Sequence, residues 1–409
     1  MITINFQNIF GTKIKQEEFE QKSEKLPDFL EKIHNKNLGF YQIFDDSNFQ
    51  TQVKEIEIFA KSLRQKFSHF VVLGMGGSAL GFEVIQKIFE HKSDKTFKVL
   101  KNIDPATILE LEETFPLEKT GFIVVSKSGT TVETISEFLY FKTKVPAENF
   151  VFVSEKDSFL HKTATEMNCQ FFEMPNNIGG RFSVLTAVGM LPSAILGVNI
   201  HKILAGGKSM AKNFQSEKFT ENVSFKLATA QFIATKKNLN THVLWTYSEK
   251  IKSFGFWVEQ LLAESTGKKG SGITPLIATG VTDQHSTLQN FVEGIDNKFF
   301  LFLRPKSYVK TEKIQAPEKF NFINGKKFSE IMDAEFRGTR DSLTEKNCPN
   351  LTIEIDEISE FTLGELFMLF ECKTAFLGEF FKINAFDQPG VERSKVLTKE
   401  FLTKTKINL

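Results

Sequence analysis

Short apolar runs alternate along this chain with segments whose apolar residues recur every three to four positions. The run from Phe70 to Leu73 ends in the loop Gly74-Met-Gly-Gly-Ser-Ala79, and a helical pattern then reaches about Glu90. Further strand patterns lie at 97–100, 122–126, 150–153 and 171–174, with helical patterns at about 106–115 and from about Thr130. This rhythm predicts an α/β fold with a doubly wound, mostly parallel sheet. After a polar, helix-prone stretch at 202–222 the rhythm restarts. His242 to Trp245 reads as a strand, and Phe254, Trp257, Val258, Leu261 and Leu262 give a helix one buried face. Strands at 299–303 and 352–355 and a long amphipathic helix at 362–382 follow. Two doubly wound sheets flanked by helices, in three αβα layers, are therefore expected. The predicted divisions are an N-terminal helical segment 1–45, α/β domains at 46–205 and 206–385, and a C-terminal loop and helix at 386–409.

Composition narrows the function classes. Among 409 residues, 51 basic side chains face 50 acidic ones, a net charge of +1 that argues against an electrostatic nucleic-acid binder. The lysines of 399–406 alternate with apolar residues and read as a solvated helix face. Cys169, Cys348 and Cys372 are widely separated, and the seven histidines form no H-x-x-x-H pair, so neither a disulfide scaffold nor a metal site is expected. The first thirteen residues lack a secretory pattern, and the longest apolar helical run, Phe182 to Leu196, is interrupted by Pro192. A soluble cytoplasmic protein with no membrane contact is the expectation.

Six segments could carry chemistry. The glycine loop with Gly77 and Ser78 follows a strand and opens a helix, where backbone can approach an anion. It also meets a loose dinucleotide pattern, with Asp104 as the acidic candidate. Ser126-Lys127-Ser128-Gly-Thr-Thr131, at the next strand-to-helix junction, offers four hydroxyls and a lysine to a phosphate dianion; an N-cap is the bland alternative. Arg181 follows Gly179 and Gly180 in a chain that otherwise favours lysine, which suits a fixed charged fork aimed at an anionic intermediate. Gln260 and Glu264, spaced i and i+4, flank the apolar face of their helix and can point into one cleft. His285 sits in a loop before a helix. The last segment, Phe386-Asp-Gln388-Pro-Gly-Val-Glu-Arg-Ser-Lys395, is a turn-marked loop ending in a lysine.

Together these segments resemble the glucose-6-phosphate isomerase family, whose chains have two sugar-isomerase domains of flavodoxin-like winding. G-G-R-F-S at 179–183 and F-D-Q-x-G-V-E-x-x-K at 386–395, with S-K-S-G-T-T and E-S-x-G-K in order, carry the resemblance from about residue 70 to 395. The resemblance implies reversible isomerisation of glucose 6-phosphate and fructose 6-phosphate through ring opening and a cis-enediol. It implies that Ser126, Ser128 and Thr131 bind the sugar phosphate, with Lys127 in the same loop, and that Gly77 and Ser78 help hold the substrate. Glu264 is then the base, Arg181 with Gly180 stabilises the enediolate, His285 and Lys395 assist ring opening, and Gln260 and Gln388 place hydroxyls. No metal or redox cofactor is implied. A homodimer is, because in the family the histidine comes from the neighbouring subunit. Pro389 departs from the tryptophan of many relatives. A bifunctional phosphoglucose/phosphomannose isomerase and a non-catalytic phosphosugar-binding regulator are the alternatives. A dehydrogenase would use only the glycine loop.

Overall fold

The first strand, β1 (Ile2–Asn5), does not join the strands that follow it in sequence. In a computed structural model, which describes residues 2–404, the next five strands form one sheet. These are β2 (His69–Leu73), β3 (Thr96–Leu100), β4 (Thr120–Val125), β5 (Phe150–Ser154) and β6 (Gln170–Glu173). They are parallel, in the order β3-β2-β4-β5-β6. Every residue of β4 and β5 is buried, as expected of parallel strands with helices on both faces, whereas the edge strand β6 is only partly buried.

The second sheet contains β7 (Thr241–Thr246), β8 (Thr274–Thr279), β9 (Lys298–Pro305) and β10 (Asn350–Ile355), in the order β1-β10-β9-β7-β8. Its last four strands are parallel, and β1 closes the edge antiparallel to β10, with Ile2 opposite Ile355. The two sheets are wound alike. In each, the first strand (β2 or β7) has the second strand on one side and the third on the other, so the winding reverses beside it.

Several expectations change. The segment expected to be helical at 1–45 also supplies a strand. Pro192 does not break its helix: Ala187–Leu196 runs through it, with nine of its ten residues buried, and that burial outweighs one lost backbone hydrogen bond. The long helix is Glu360–Phe381, and it is buried nearly all round rather than amphipathic. It packs on the helices Ile200–Phe214, Val223–Lys236 and Lys252–Thr266. Strand β8 escapes sequence reading because Pro275 argues against a strand, yet β8 pairs only with β7, so the missing N–H faces outward from an edge. The helix Glu392–Lys404 is solvated, and Lys406 lies outside the described residues. No described helix is long and apolar enough to cross a membrane.

Candidate active site

Loops at the carboxyl ends of β2 and β4 flank the point where the first sheet reverses its winding, the usual crevice for ligands in open α/β sheets. After β2 the chain makes a tight turn, Gly76–Ser78, before the helix Leu80–Phe89. A side chain at Gly76 would strike the Gln260 amide, and one at Gly77 would strike the Gly180 carbonyl. The glycines therefore let three distant segments touch. The dinucleotide reading loses its acid: the Asp104 carboxylate accepts the Ala106 N–H at 3.0 Å and caps the helix Pro105–Thr114.

After β4, the buried Ser126 hydroxyl lies 2.9 Å from that of Thr131. Thr131 stands at the N-cap of Val132–Lys142 but makes no side-chain bond to its amides, which leaves the first turn uncapped. Ser128 Oγ accepts from the Thr130 hydroxyl at 3.1 Å. Lys127 pairs with Glu155 at 3.4 Å and donates to the Asn176 carbonyl at 3.1 Å, tying this loop to the segment that leads into Arg181.

Arg181 sits in the turn Gly180–Phe182 and is 5% exposed. Its Nε donates to Ser265 Oγ at 2.7 Å. Nη1 meets Glu264 Oε2 and Gln388 Oε1, each at 3.2 Å, and Nη2 donates to the carbonyls of Ala385 at 2.6 Å and Asp387 at 2.9 Å. Burial pulls the guanidinium below its ordinary pKa, and Glu264 opposes that shift. Glu264 Oε1 in turn accepts from Gln260 Nε2 at 3.0 Å. The carboxylate is thus gripped from both sides, while Gln260 Oε1 is buried with no hydrogen-bond partner among the described residues.

The 384–388 loop has a second anchor. Lys268 donates to the Asn384 carbonyl, to the Asp387 carbonyl at 2.8 Å, and to Asp387 Oδ1 at 2.9 Å. That contact holds the Asp387 carboxyl below the usual carboxylate range. A cavity of about 600 Å³ opens beside Glu264, Lys268, Asp387 and Gln388.

The fold therefore brings Gly77, Gly180, Arg181, Gln260, Glu264 and Gln388 together, with Ser78 in the same glycine turn and Ser126, Lys127, Ser128 and Thr131 in the loop on the neighbouring strand. It does not bring His285 or Lys395 to them. His285 lies in the turn Thr282–His285 after β8, and Lys395 is exposed and paired with Glu392 at 2.7 Å. Sequence reasoning missed Ser265 and Lys268. Ser265 could have been found from Arg181 itself, since a buried fork needs several acceptors. Both residues stand in the E-S-x-G-K motif that carries the resemblance, but neither is given a role there. Among the described residues, no three His, Cys, Asp or Glu side chains cluster as metal ligands.

The family model described as phosphoglucose isomerase matches residues 48–285 and 322–408. The chain is 34% identical over 442 residues to the glucose-6-phosphate isomerase of Carboxydothermus hydrogenoformans, covering 98% of this chain and 94% of that one. It is 32% identical over 406 residues to the glucose-6-phosphate isomerase of Campylobacter jejuni, covering 95% and 98%. Among solved structures, a hypothetical protein from Thermus thermophilus superposes with a TM-score of 0.91 at 29% identity, covering 98% and 100%. A glucose-6-phosphate isomerase from Chlamydia trachomatis has the same fold, with a TM-score of 0.86 at 21% identity, covering 98% and 88%.

Proposed function

Because the chain belongs to the phosphoglucose isomerase family, we propose that it interconverts glucose 6-phosphate and fructose 6-phosphate, with Glu264 and Arg181 at the centre of the reaction. The observation that carries this reading is the Glu264 carboxylate held between Gln260 and Arg181 beside a cavity. In the open-chain aldose, the C2–H bond breaks and its proton passes to Glu264. The electron pair forms the C1–C2 double bond, and the carbonyl π pair moves onto O1. Arg181 supplies fixed positive charge as that oxygen becomes anionic. The C2 hydroxyl proton passes to O1, which becomes the new hydroxyl. The O2 lone pair then forms the ketone C=O as the C1–C2 π pair takes the proton back from Glu264 at C1, so one carboxylate serves as base and acid. The unmatched Gln260 Oε1 suits a sugar hydroxyl, and Gln388 places another.

The phosphate goes to the loop Ser126–Thr131, where hydroxyls and an uncapped helix start stand together. Ser126→Ala with Thr131→Ala is expected to raise KM for fructose 6-phosphate more than it lowers kcat, since the phosphate is held alike in ground and transition states. Steady-state kinetics on the double variant checks this, and an unchanged KM would remove the loop from that role.

His285 and Lys395 act in ring opening, and His285 does so in the partner's site of a homodimer. Two observations support the dimer. The helix bearing Glu264 ends where β8 begins, with Ile273 N on Thr266 Oγ1 at 3.0 Å, while His285 lies past the other end of β8. Six strand residues separate the two by roughly 20 Å at about 3.3 Å each. The helix Glu392–Lys404 buries none of its residues, and Val396 and Leu402 are exposed on it; a 13-residue helix is marginal without packing. The three unpaired cysteines suit the reducing cytoplasm.

Mixing His285→Ala and Glu264→Gln chains tests this arrangement. Each mixed dimer has one site with both substitutions and one with neither. About half of randomly exchanged dimers are mixed, so activity is expected to return to roughly a quarter of the unmodified level. No return, with exchange verified by mass-tagged subunits, would place His285 in its own chain's site or outside catalysis.

A further inference from the structure

The reaction uses the winding reversal of the first sheet and leaves that of the second unused. The two places are built alike. Strand β2 runs into the short turn Gly76–Ser78 and the helix Leu80–Phe89, and strand β7 runs into the short turn Glu249–Ile251 and the helix Lys252–Thr266. Each first strand is flanked by the third strand of its sheet, β4 in one case and β9 in the other. At the carboxyl ends of β7 and β9 lies a cavity of about 540 Å³, roomy enough for a small metabolite. Tyr308 Oη ties the two strand ends together there by donating to the Tyr247 carbonyl at 2.7 Å.

Polar groups in this cavity are not used up by the protein. Ser248 lines it and is only 7% exposed, yet its hydroxyl makes no hydrogen bond to any described residue and does not cap the turn it precedes. Lys250, also on the lining, has no carboxylate partner among the described residues; its ammonium meets only His91 Nδ1, at 3.2 Å. Lys92 adds a second cation, shared with Glu360 at 3.3 Å, and Glu357 is the one carboxylate on the lining. The helix Lys252–Thr266 starts here with no side-chain cap, so its positive end adds to the field.

We propose that this cleft is a second anion site, which takes the phosphate of a small phosphate ester on Ser248 and Lys250 and performs no chemistry on it. Its counterpart on the first sheet also joins a hydroxyl, a lysine and a helix start, but there Lys127 ties the loop to the segment that leads into Arg181. Among the described residues, no arginine lines the second cleft.

Calorimetric titration at low ionic strength with two probes, inorganic phosphate and glycerol phosphate, tests the proposal by binding rather than turnover. Its outcome is therefore independent of the isomerase reading. The unmodified protein is expected to bind two equivalents of either probe per chain. Ser248→Ala with Lys250→Ala is expected to bind one, with isomerase activity unchanged, and Ser126→Ala with Thr131→Ala is expected to bind the other. Lys250→Met alone, at an exposed position that folding does not need, is expected to weaken the second site by at least about 10-fold through loss of a charge-assisted bond. Glycerol phosphate binding this site at least as tightly as inorganic phosphate identifies an ester site; markedly weaker binding overturns that assignment. Ser248→Ala with Lys250→Ala binding as many equivalents as the unmodified protein, with unchanged affinity, overturns the site altogether, whether or not the Ser126–Thr131 loop binds.

Discussion

Glu264→Gln is expected to lower kcat by at least about 10²-fold while KM for fructose 6-phosphate stays nearly constant. The amide keeps the shape of the carboxylate: its oxygen can still accept from Arg181, and its NH2 can donate to Gln260 once that side-chain amide turns over. What it cannot do is carry a proton between carbons. The loss therefore falls on the chemical step and leaves binding in place. Coupled-assay kinetics in both directions, alongside a thermal melt to establish that the variant is folded, checks this. Turnover within a few-fold of the unmodified protein would move the base elsewhere.

Replacing Arg181 by alanine is expected to cost about 10²–10³-fold in kcat, the scale seen when one preorganised oxyanion donor is removed. Here the loss has two parts. The fixed charge beside the developing enediolate disappears, and the carbonyls of Ala385 and Asp387 lose their shared donor, so Gln388 is no longer held in place. Free guanidinium in the assay is expected to restore part of the rate, because it replaces the charge and not the tether. Arg181→Lys is expected to remain poor, since one ammonium cannot span acceptors on opposite sides of a planar fork. An alanine variant that keeps more than about a tenth of its rate would show that the oxyanion is stabilised by another group.

Much of the architecture is legible locally, and the exceptions share a cause. Strands such as β2, β4 and β5 announce themselves because each is buried on both faces and therefore largely apolar. The glycine turn, the hydroxyl loop and the Gln260–Glu264 pair are equally visible, since their spacing alone sets their geometry. β1 is invisible because four residues acquire meaning only from β10, some 350 positions later. Lys268 stands in the E-S-x-G-K motif, but its anchoring role is invisible for the same reason: its acceptors lie 116 and 119 positions away. β8 is hidden by a proline that only an edge strand tolerates. The likeness between the two sheets is absent from the residues and plain in the strand order, because winding depends on the sequence of crossovers and not on which apolar side chains fill them.

The pairing of β1 with β10 also bears on how the chain is made. Residues 2–5 leave the ribosome long before residues 350–355, so the second sheet cannot be completed until β10 has emerged. The first sheet, complete by residue 173, needs nothing from downstream for its own strand pairing. Synthesis thus sets an order of assembly in which the phosphate loop's sheet can close early. The early segment stays unpaired, an open backbone edge in search of a partner, until β10 is made. Closing so long a loop adds only about 0.6 kcal/mol per doubling of its length, so the delay weighs on kinetics and exposure to misassembly far more than on final stability.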